Sequence, residues 1–440
     1  MNTEQMTEQY AAVLGRMLRA ETVSVRDSAD NGKFAAFRRL LKELFPALFT
    51  RCEYTEFPDG FVLRWEGKSS EKLPVLFMNH HDVVEANGPW THGAFSGEIA
   101  DGKLWGRGTL DDKGGLWAML QAADGLIRDD FVPGRDIWFA SSSTEETDGR
   151  GAAAIAQWFE GRGIRFEMCF DEGGVILEEP IPGAKGHFAM IGVGEKGCAD
   201  LKFIARSRGG HASVPEKGSP LVRLGAFMRE ADRQKIFPVE LSPAICEMLR
   251  RFSPTMGAAG KLLARPERNR ALLKKLIPAL SGKAAALLRT TIAFTMAGGS
   301  DGTNVIPAQA WIVGNMRYSH HQGQEASFEA VRKLAEKYDL EMEILDPGTP
   351  SRLADYNGTA FRLAEQAVHA VFPGVIPAPY LMTGASDARF FDRVCDQCIR
   401  FLPFQIDNAQ LDSIHGRDEN IDLKALVPAV RYYRYLMEEV

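Results

Sequence analysis

The chain has 440 residues, of which 45% are hydrophobic and 25% are charged, and its 52 basic and 58 acidic side chains give a formal net charge of −6. This length and composition indicate a globular protein of two or three domains, each large enough to bury its own core. The mild acidity disfavours a nucleic-acid binder, because binding to a phosphate backbone depends on clustered Lys and Arg side chains.

The apolar segments of the chain are too short for a membrane-spanning protein. No uninterrupted apolar run approaches the roughly 18 residues of a spanning helix, and Glu4, Glu8 and Arg16 lie where a signal peptide would be apolar. Six cysteines scattered along the chain do not form the disulfide framework of a small secreted domain, so reduced thiols are expected. We therefore expect a cytoplasmic protein without a membrane partner.

Helices and strands alternate along the first 196 residues. Residues 4–20 have a helical pattern, and apolar side chains at three-and-four spacing predict a helix over Gly114–Ile127. Short apolar segments predict strands at Leu73–Met78, Asp136–Ala140 and Phe166–Phe170. Strands separated by helices form a mostly parallel sheet covered on both faces, which predicts an α/β fold class.

The pattern changes after Gly197. The expected elements there are strands at Ala199–Ala205, Thr291–Met296, Ala308–Tyr318 and Glu341–Leu345, and helices at Pro220–Arg233 and Glu325–Tyr338. This order is typical of a small α+β domain with one antiparallel sheet. We expect residues 1–196 and 347–440 to form one α/β domain, and residues 197–346 to form an α+β domain inserted into it.

A basic, helix-prone segment interrupts the inserted domain at about residues 239–289. Its Arg and Lys residues alternate with Leu and Ala. This alternation favours helices with a solvated charged face over a nucleic-acid patch.

Three short motifs suggest other chemistry, and each is weak. Gly192-x-Gly194-x-x-Gly197 matches a dinucleotide fingerprint by letter, but a strand rather than a helix is predicted after it, which favours a turn between domains. Gly384-Ala-Ser386-Asp-Ala388 is one residue from a nucleophile elbow, so a serine hydrolase remains a minor alternative. The pair Cys395-x-x-Cys398 lies among apolar residues without a second pair, which favours buried thiols over a zinc site.

Histidines and carboxylates follow the predicted strands of the first domain. His80 and Asp82 share one face of an extended segment, because side chains in a strand alternate with a period of two. A carboxylate beside a histidine suits a metal site, where it holds the second imidazole nitrogen. The neighbours Asp111 and Asp112 occupy a Gly-rich turn before a helix, and an N-cap role explains one of them but not both.

Further acidic residues and a loop histidine extend this pattern. Glu145 and Glu146 follow the strand Asp136–Ala140, so that one can coordinate a metal while the other faces a substrate. Asp171 is expected to end the strand Phe166–Phe170, and His415 lies in a loop far along the chain. Ligands of open α/β sheets bind at the carboxyl ends of strands, where His80, Glu146 and Asp171 are placed. His81 is expected to face away from this site.

Nine segments together resemble one known family. In chain order they are NHHDVV, WGRGTLDDKGG, STEE, FDEGG, GGHASVP, GGSDGTNVIP, NMRYS, GASDARFF and HGRDENI. They resemble the successive motifs of the aminoacylase/carboxypeptidase dinuclear zinc hydrolases, metallopeptidase family twenty. The stretch LLRTTIAFT and the helical insertion are most similar to the carboxypeptidase S branch. Each segment is weak alone, whereas nine in the family's order are specific.

The resemblance implies a zinc-peptidase-like catalytic domain with two divalent metal ions per chain. Zinc is the expected metal, with cobalt and manganese as alternatives. Asp111 would bridge the metals, Asp82 would orient one histidine, and the peptide bond after Asp111 would be cis. Glu145 would be the general base that acts on a metal-bridged water. The implied ligands are His80 and Asp171 on one metal, and Glu146 and His415 on the other.

The inserted α+β domain would be a lid, and it would supply further contacts. His211 would support the oxyanion, while Asn304 and Arg317 would contact the substrate. The implied activity is hydrolysis of a peptide or N-acyl amino acid beside a free carboxylate. A dipeptidase, a desuccinylase-like deacylase or a catalytically silent metal-binding scaffold are the alternatives. A homodimer formed through the lid is the favoured assembly, with His211 acting across subunits, although the insertion at 239–289 could cover the lid edge and leave a monomer.

Overall fold

Three helices and then five strands come first in the chain, and the expected alternation of helices and strands holds from residue 113 to residue 178. The structure, a computed structural model, describes residues 2–26, 32–233, 235–280 and 282–440. The elements of this first part are α1 (Thr3–Leu18), α2 (Gly32–Leu44), α3 (Pro46–Arg51), β1 (Glu53–Phe57), β2 (Gly60–Trp65), β3 (Val75–Met78), β4 (Glu98–Ala100), β5 (Lys103–Trp105), α4 (Lys113–Arg128), β6 (Ile137–Ser142), α5 (Arg150–Gly161), β7 (Met168–Glu178) and β8 (His187–Glu195).

The middle and last parts of the chain contain the remaining elements. From residue 197 to 346 they are β9 (Gly197–Arg206), β10 (Gly210–His211), α6 (Pro220–Asp232), α7 (Pro243–Phe252), a 3-10 turn (Ser253–Thr255), α8 (Gly257–Leu263), α9 (Arg270–Leu280), α10 (Gly282–Leu288), β11 (Thr291–Gly298), β12 (Val305–Ile306), β13 (Gln309–Tyr318), α11 (Gln324–Lys337) and β14 (Glu341–Asp346). After residue 347 they are α12 (Thr359–Val371), β15 (Ile376–Met382), α13 (Ala388–Phe391), β16 (Cys398–Ile406), α14 (Asn408–Ser413), β17 (Asn420–Asp422) and α15 (Leu423–Glu439). Among the described helices, none is both long enough and apolar enough to cross a bilayer.

An eight-stranded, mostly parallel sheet forms the centre of the larger domain, in the order β1-β2-β6-β3-β7-β16-β8-β15. Strand β3 lies parallel to both β6 and β7, and β16 lies parallel to β7. Alternate β3 side chains face opposite layers: Phe77 packs in the core that includes α1, α4 and α15, and Leu76 packs in the core that includes α5. Because both faces are buried, the strand is continuously apolar. The α/β prediction is confirmed.

A second, four-stranded antiparallel sheet has its own core. Its order is β11-β13-β9-β14, and helices α6 and α11 contribute to that core. Phe203 of β9 and Phe227 of α6 pack with ring centroids 4.6 Å apart. The antiparallel α+β prediction for this part is therefore also confirmed.

The insertion differs from the expected solvated helices. Helix α7 lies against β15 at the edge of the large sheet, and the Phe252 ring meets Phe188 edge-on at 4.6 Å. The apolar residues of α7 recur at helical spacing and are buried. Its arginines are paired instead of merely solvated, because Arg251 binds Glu247 and Glu365. The prediction of a solvated face was therefore wrong for α7, while α9 does expose one face.

Replacing Phe252 tests whether the insertion is part of the core of the larger domain. Phe252 is fully buried, so Phe252→Ala should lower the free energy of unfolding by about 3–5 kcal/mol. Thermal and denaturant unfolding measure this loss. The matched control is Leu280→Ala, because Leu280 is 82% exposed and its removal should change stability by less than about 0.5 kcal/mol. Equal small effects of both variants would show that the insertion does not stabilise the core.

Candidate active site

The carboxyl ends of β3 and β6 place two groups of site residues side by side. These strands are parallel neighbours, so His80, which follows β3, and Glu145 and Glu146, which follow β6, lie at the same edge of the sheet. The third expected strand end differs, since β7 continues past Asp171 to Glu178. Its pairing with β3 stops at Phe170, however, so Asp171 still lies where the two strands separate.

Asp111 lies between two histidines, and each of its carboxylate oxygens faces a different one. Oδ1 lies 2.9 Å from Nε2 of His80, and Oδ2 lies 3.0 Å from Nε2 of His415. The same nitrogen of His415 lies 3.0 Å from Oε2 of Glu146. The potential ligand atoms of His80, Asp111 and Glu146 all lie within 4.8 Å of one another. Four of the five expected ligands are therefore in direct contact.

Asp171, the fifth expected ligand, has a different partner. Its Oδ2 accepts a hydrogen bond from the backbone N–H of Ala388 at 2.7 Å. No hydrogen bond or ion pair joins Asp171 to His80, although both residues are among those described. Burial raises the pKa of Asp171 to about 6. The carboxylate thus lies buried beside the cluster without touching the imidazoles.

The turn that carries Asp111 is shaped by its neighbours. The peptide bond between Asp111 and Asp112 is cis, as the resemblance implies. Asp112 is buried, and its Oδ2 accepts the backbone N–H of His80 at 3.1 Å. A side chain at Gly115 would come within 2.3 Å of Asp112 Oδ1 and of Asn79 Oδ1. Only glycine therefore allows the start of α4 to approach this turn.

Asp82 holds both groups of strand-end residues. Its Oδ1 lies 3.3 Å from Nδ1 of His80, which also contacts the backbone carbonyl of Asp82 at 3.0 Å. The two carboxylate oxygens accept the backbone N–H groups of Glu145 and Glu146 at 3.3 and 3.1 Å. Asp82 therefore fixes the ring orientation and the positions of both glutamates. His81 faces away, as expected, and stacks on Phe37 at 5.7 Å.

Glu145 lies next to the cluster and makes no hydrogen bond or ion pair with either imidazole. Its side chain is 12% exposed, and Oε1 lies 3.6 Å from the guanidinium of Arg389. Burial raises the pKa of Glu145 well above its usual range, and Arg389 acts in the opposite direction. A carboxylate whose pKa is raised by burial holds a proton more readily than a solvated one, which suits a group that accepts and returns a proton.

The donor set fits divalent cations. Burial opposes ionisation of Asp111, yet hydrogen bonds with His415 and His80 hold the pKa of that carboxyl below its usual value. Hydrogen bonds to Asp111 and Glu146 raise the pKa of His415 to about 10, so the cluster favours positive charge. The buried Oε1 of Glu146 has no hydrogen-bond partner among the described residues. Catalytic zinc sites use imidazole nitrogens and carboxylate oxygens as ligands. The cluster offers both, and this Oε1 of Glu146 is free to bind a cation.

Glu419 is a site residue that the sequence analysis missed. It is fully buried, and its Oε1 accepts the backbone N–H groups of Leu110 and Asp111 at 2.8 and 3.2 Å. Its Oε2 accepts Gly108 N–H at 3.1 Å and pairs with Arg107 at 2.8 Å. The carboxylate thus holds the backbone of the turn between the histidines. Its sequence signal was its place in HGRDENI, four residues after His415.

The three expected lid residues lie apart from the cluster. His211 is exposed on β10, opposite Val305 of β12, and Asn304 is exposed next to it. Arg317 is half-buried on β13, and its Nε donates to Asn315 Oδ1 at 3.0 Å. No hydrogen bond or ion pair links these three residues to the cluster within the described part of the chain.

The minor alternatives find no support in the geometry. Ser386 is fully buried, and both its N–H and its hydroxyl donate to Glu195 Oε2 instead of meeting a histidine base. The first two glycines of the Gly192 motif lie in β8 and the third, Gly197, begins β9, so no helix follows the motif. Cys395 and Cys398 are free and buried, as expected.

Comparison with known proteins adds independent support. The family model described as peptidase family M20/M25/M40 matches residues 76–439. The chain belongs to this family. A probable carboxypeptidase S-like protein of Dictyostelium discoideum is 30% identical over 92% of this chain and 79% of its own length. A human N-fatty-acyl-amino acid synthase/hydrolase, PM20D1, is 29% identical over 94% of this chain and 84% of its own length.

Solved structures support the same assignment at the level of fold. An M20 family metallo-carboxypeptidase from Sulfolobus solfataricus superposes with a TM-score of 0.71 at 17% identity, covering 98% of both chains. The expected family and the expected class of enzyme, a peptidase or amidohydrolase, are confirmed.

Replacing Glu419 tests its role beneath Asp111. Glu419→Gln puts an amide donor against backbone N–H groups and leaves Arg107 without a charged partner. We expect a loss of about 3–5 kcal/mol in the free energy of unfolding and a lower zinc content at limiting zinc. Thermal unfolding and elemental analysis of dialysed protein measure both effects.

The control for this prediction is Glu438→Gln, which makes the same change at a carboxylate whose side chain is 45% exposed. It should leave zinc content and stability unchanged. If Glu419→Gln behaves like this control, Glu419 does not support the turn.

Proposed function

We propose that the chain is a dinuclear metal-dependent hydrolase that cleaves the amide bond of a peptide or N-acyl amino acid next to a free carboxylate. The observation that carries the proposal is the position of Asp111, whose two oxygens face two different histidines with Glu145 beside them. A carboxylate shared between two imidazole ligands is the arrangement that brings two cations close enough to act together.

Two residues would hold each metal in addition to the shared aspartate. His80 and Asp171 would bind one cation, Glu146 and His415 would bind the other, and Asp111 would bind both. When bound, such a pair supplies Lewis acidity for the substrate carbonyl and lowers the pKa of water. Zinc fits the mixture of imidazole and carboxylate ligands best, and cobalt and manganese are the alternatives.

Glu145 would act as the general base. It is buried, its pKa is raised, and it is not engaged by the imidazoles. It would accept a proton from the attacking water and deliver it to the leaving nitrogen, a role worth about 10²- to 10⁴-fold in rate. A buried glutamate that neither imidazole binds also disfavours a catalytically silent scaffold, which would need no proton carrier beside its metals.

The expected substrate carries an amino-acid carboxylate. The names of both relatives, a carboxypeptidase and an N-fatty-acyl-amino acid hydrolase, describe amides of that kind. Arg317 is the proposed partner for the carboxylate, because its terminal guanidinium nitrogens make no hydrogen bond or ion pair within the described residues, and a guanidinium binds carboxylates through two parallel bonds. Asn304 would contact the same end of the substrate. A dipeptidase or a desuccinylase-like deacylase would use the same chemistry.

We also propose the domain arrangement and assembly on which this function depends. Residues 1–196 and 347–440 would form the catalytic domain, and 197–346 would form a lid. Helix α7 of the insertion contacts β15 of the large sheet, and β11 and β14 are the edge strands of the smaller sheet, so they would pair between two lids in a homodimer. His211 would then support the oxyanion of the other subunit. Six free cysteines favour a cytoplasmic location.

A substrate panel tests the proposed activity. Dipeptides, N-acetyl, N-succinyl and N-fatty-acyl amino acids should be assayed with zinc, cobalt and manganese, together with the same compounds whose carboxylate is amidated. We expect hydrolysis that requires the free carboxylate and is removed by a chelator. The compound with the highest kcat/KM separates the carboxypeptidase, dipeptidase, desuccinylase-like and long-chain deacylase forms of the proposal.

A matched pair of variants connects that activity to the proposed residues. Glu145→Gln should keep about two metals per chain and lower kcat by at least about 10²-fold. Asp111→Asn should lose both metals as well as activity. Full activity of Glu145→Gln, or a metal content that does not respond to Asp111→Asn, contradicts the assignment.

The role of His211 is tested by mixing two inactive variants. Glu145→Gln retains the proposed oxyanion donor, and His211→Ala retains the base, so an exchanged heterodimer should regain part of the activity. Removal of an oxyanion donor should lower kcat by about 10²- to 10³-fold in His211→Ala alone. His320→Ala, at a histidine that contacts the backbone of Ser351, is the control for a general effect. Wild-type kcat in His211→Ala excludes the role, and no recovery in the mixture excludes action across subunits.

A further inference from the structure

Helix α9 of the insertion exposes an apolar face at regular helical spacing. Its exposed residues are Ala271, Leu272, Lys275, Leu276, Ala279 and Leu280. Three of them are leucines spaced four residues apart, and they are 48%, 40% and 82% exposed in chain order. Leucines at positions i, i+4 and i+8 form one stripe along a helix. Contiguous exposed apolar side chains mark interaction surfaces, whereas single scattered ones are normal on any protein.

The opposite face of α9 is fixed to the protein. Leu273 is buried in the core of the larger domain. Arg270 and Lys274 both pair with Glu240, at 2.5 and 3.0 Å. The leucine stripe is therefore presented on an anchored helix. Lys275, on the stripe itself, has no carboxylate partner among the described residues.

The insertion is basic in an acidic chain. Residues 239–289 contain ten Lys and Arg and three Glu, a net charge of 10 − 3 = +7, so the rest of the chain carries −6 − 7 = −13. Lys261, Arg265 and Arg268, which precede α9, are exposed and make no ion pair with the described residues. Exposed basic side chains therefore lie close in sequence to the apolar stripe.

We propose that the outer face of α9 docks on an anionic phospholipid surface. A helix binds in the interface of a bilayer when leucines on one face enter the boundary between headgroups and acyl chains and nearby Lys and Arg meet anionic headgroups. Each basic residue near such a surface strengthens binding by roughly fivefold. The sequence-based expectation of no membrane partner depended on the lack of a spanning segment, whereas an interfacial helix needs none.

Other occupants fit this surface less well. Two copies of α9 packed about a twofold axis would bring Lys275 and its basic neighbours against one another, and a three-leucine stripe falls well short of the about 800 Å² per partner of a stable interface. Nucleic acid would gain nothing from leucines, because bases stack on aromatic side chains. The proposal is independent of the hydrolase function, since α9 contributes no residue to the metal cluster.

Vesicle sedimentation of the full chain tests the proposal. We expect the protein to sediment with mixed phosphatidylglycerol and phosphatidylcholine vesicles, and not with phosphatidylcholine alone. Binding should weaken as salt is raised. The triple variant Leu272→Gln, Leu276→Gln and Leu280→Gln should bind at least about tenfold more weakly, and Lys275→Glu should bind several-fold more weakly.

The control places the same change on another exposed surface. Leu221→Gln with Val222→Gln alters two α6 residues that are 55% and 61% exposed, and it should bind vesicles like the wild type. Unchanged unfolding and unchanged hydrolysis of a water-soluble substrate show that the triple variant is folded. Failure of the wild-type chain to bind, undiminished binding by the triple variant, or leucine-dependent self-association without vesicle binding overturns the proposal.

Discussion

The buried ion pair between Arg107 and Glu419 is the interaction on which the proposed metal centre depends. Both side chains are almost completely buried, and their 2.8 Å contact joins segments about three hundred residues apart. Arg107 also donates to the backbone carbonyls of Glu85 and Gly416, so it connects the loop after His80 with the loop of His415. A buried pair is weak evidence for stability by itself, because desolvation offsets much of the attraction. The pair is better explained by geometry, because the Glu419 carboxylate also accepts the backbone N–H groups of Leu110 and Asp111 and so positions Asp111.

Two further carboxylates, Asp82 and Asp112, also hold backbone segments of the site, at the edge of the large sheet. Asp82 accepts two backbone N–H groups from the loop after β6, and Asp112 accepts one from the loop after β3. Asp82 is buried, and both of its oxygens accept backbone N–H groups, which offsets the cost of burying its charge. Asp112 accepts one N–H through Oδ2, its buried Oδ1 has no partner among the described residues, and burial raises its pKa well above the usual range. The proposed ligands therefore do not depend on their own loops for position. They are held by acids that would not themselves bind metal, as is common for catalytic metal sites.

The sequence predicted the elements well where periodicity was clear, as in α4 and β3, and it placed His80 and Glu146 at neighbouring strand ends. It put the end of a strand at Asp171, whereas β7 continues to Glu178 and only its pairing with β3 stops there. A strand that changes its pairing partner without ending leaves no mark in the hydrophobic pattern. Glu419 was missed for a similar reason: a carboxylate that binds backbone N–H groups is indistinguishable in sequence from a solvated one. The insertion shows the converse error. Its arginines predicted a helix face in solvent, but in α7 they pair with glutamates, and the apolar residues beside them are buried in the core.

The chain passes from the large sheet to the smaller one at Glu195 and Lys196, and these two residues help to fix the position of the insertion. Glu195, the last residue of β8, accepts hydrogen bonds from Arg400 and from Ser386. Ser386 lies two residues before α13, the helix whose Arg389 faces Glu145. The residue after Glu195, Lys196, donates to the carbonyls of Ala286 and Arg289 and to the hydroxyl of Thr291. Consecutive residues thus bind the active-site loop on one side and the end of the insertion with the start of β11 on the other. Burial lowers the pKa of Lys196 to about 7, while hydrogen bonds to these three acceptors favour the charged form of its amine. Because α7 of the insertion packs on β15 and Lys196 binds the end of the insertion, β11 begins from a fixed position relative to the candidate metal site.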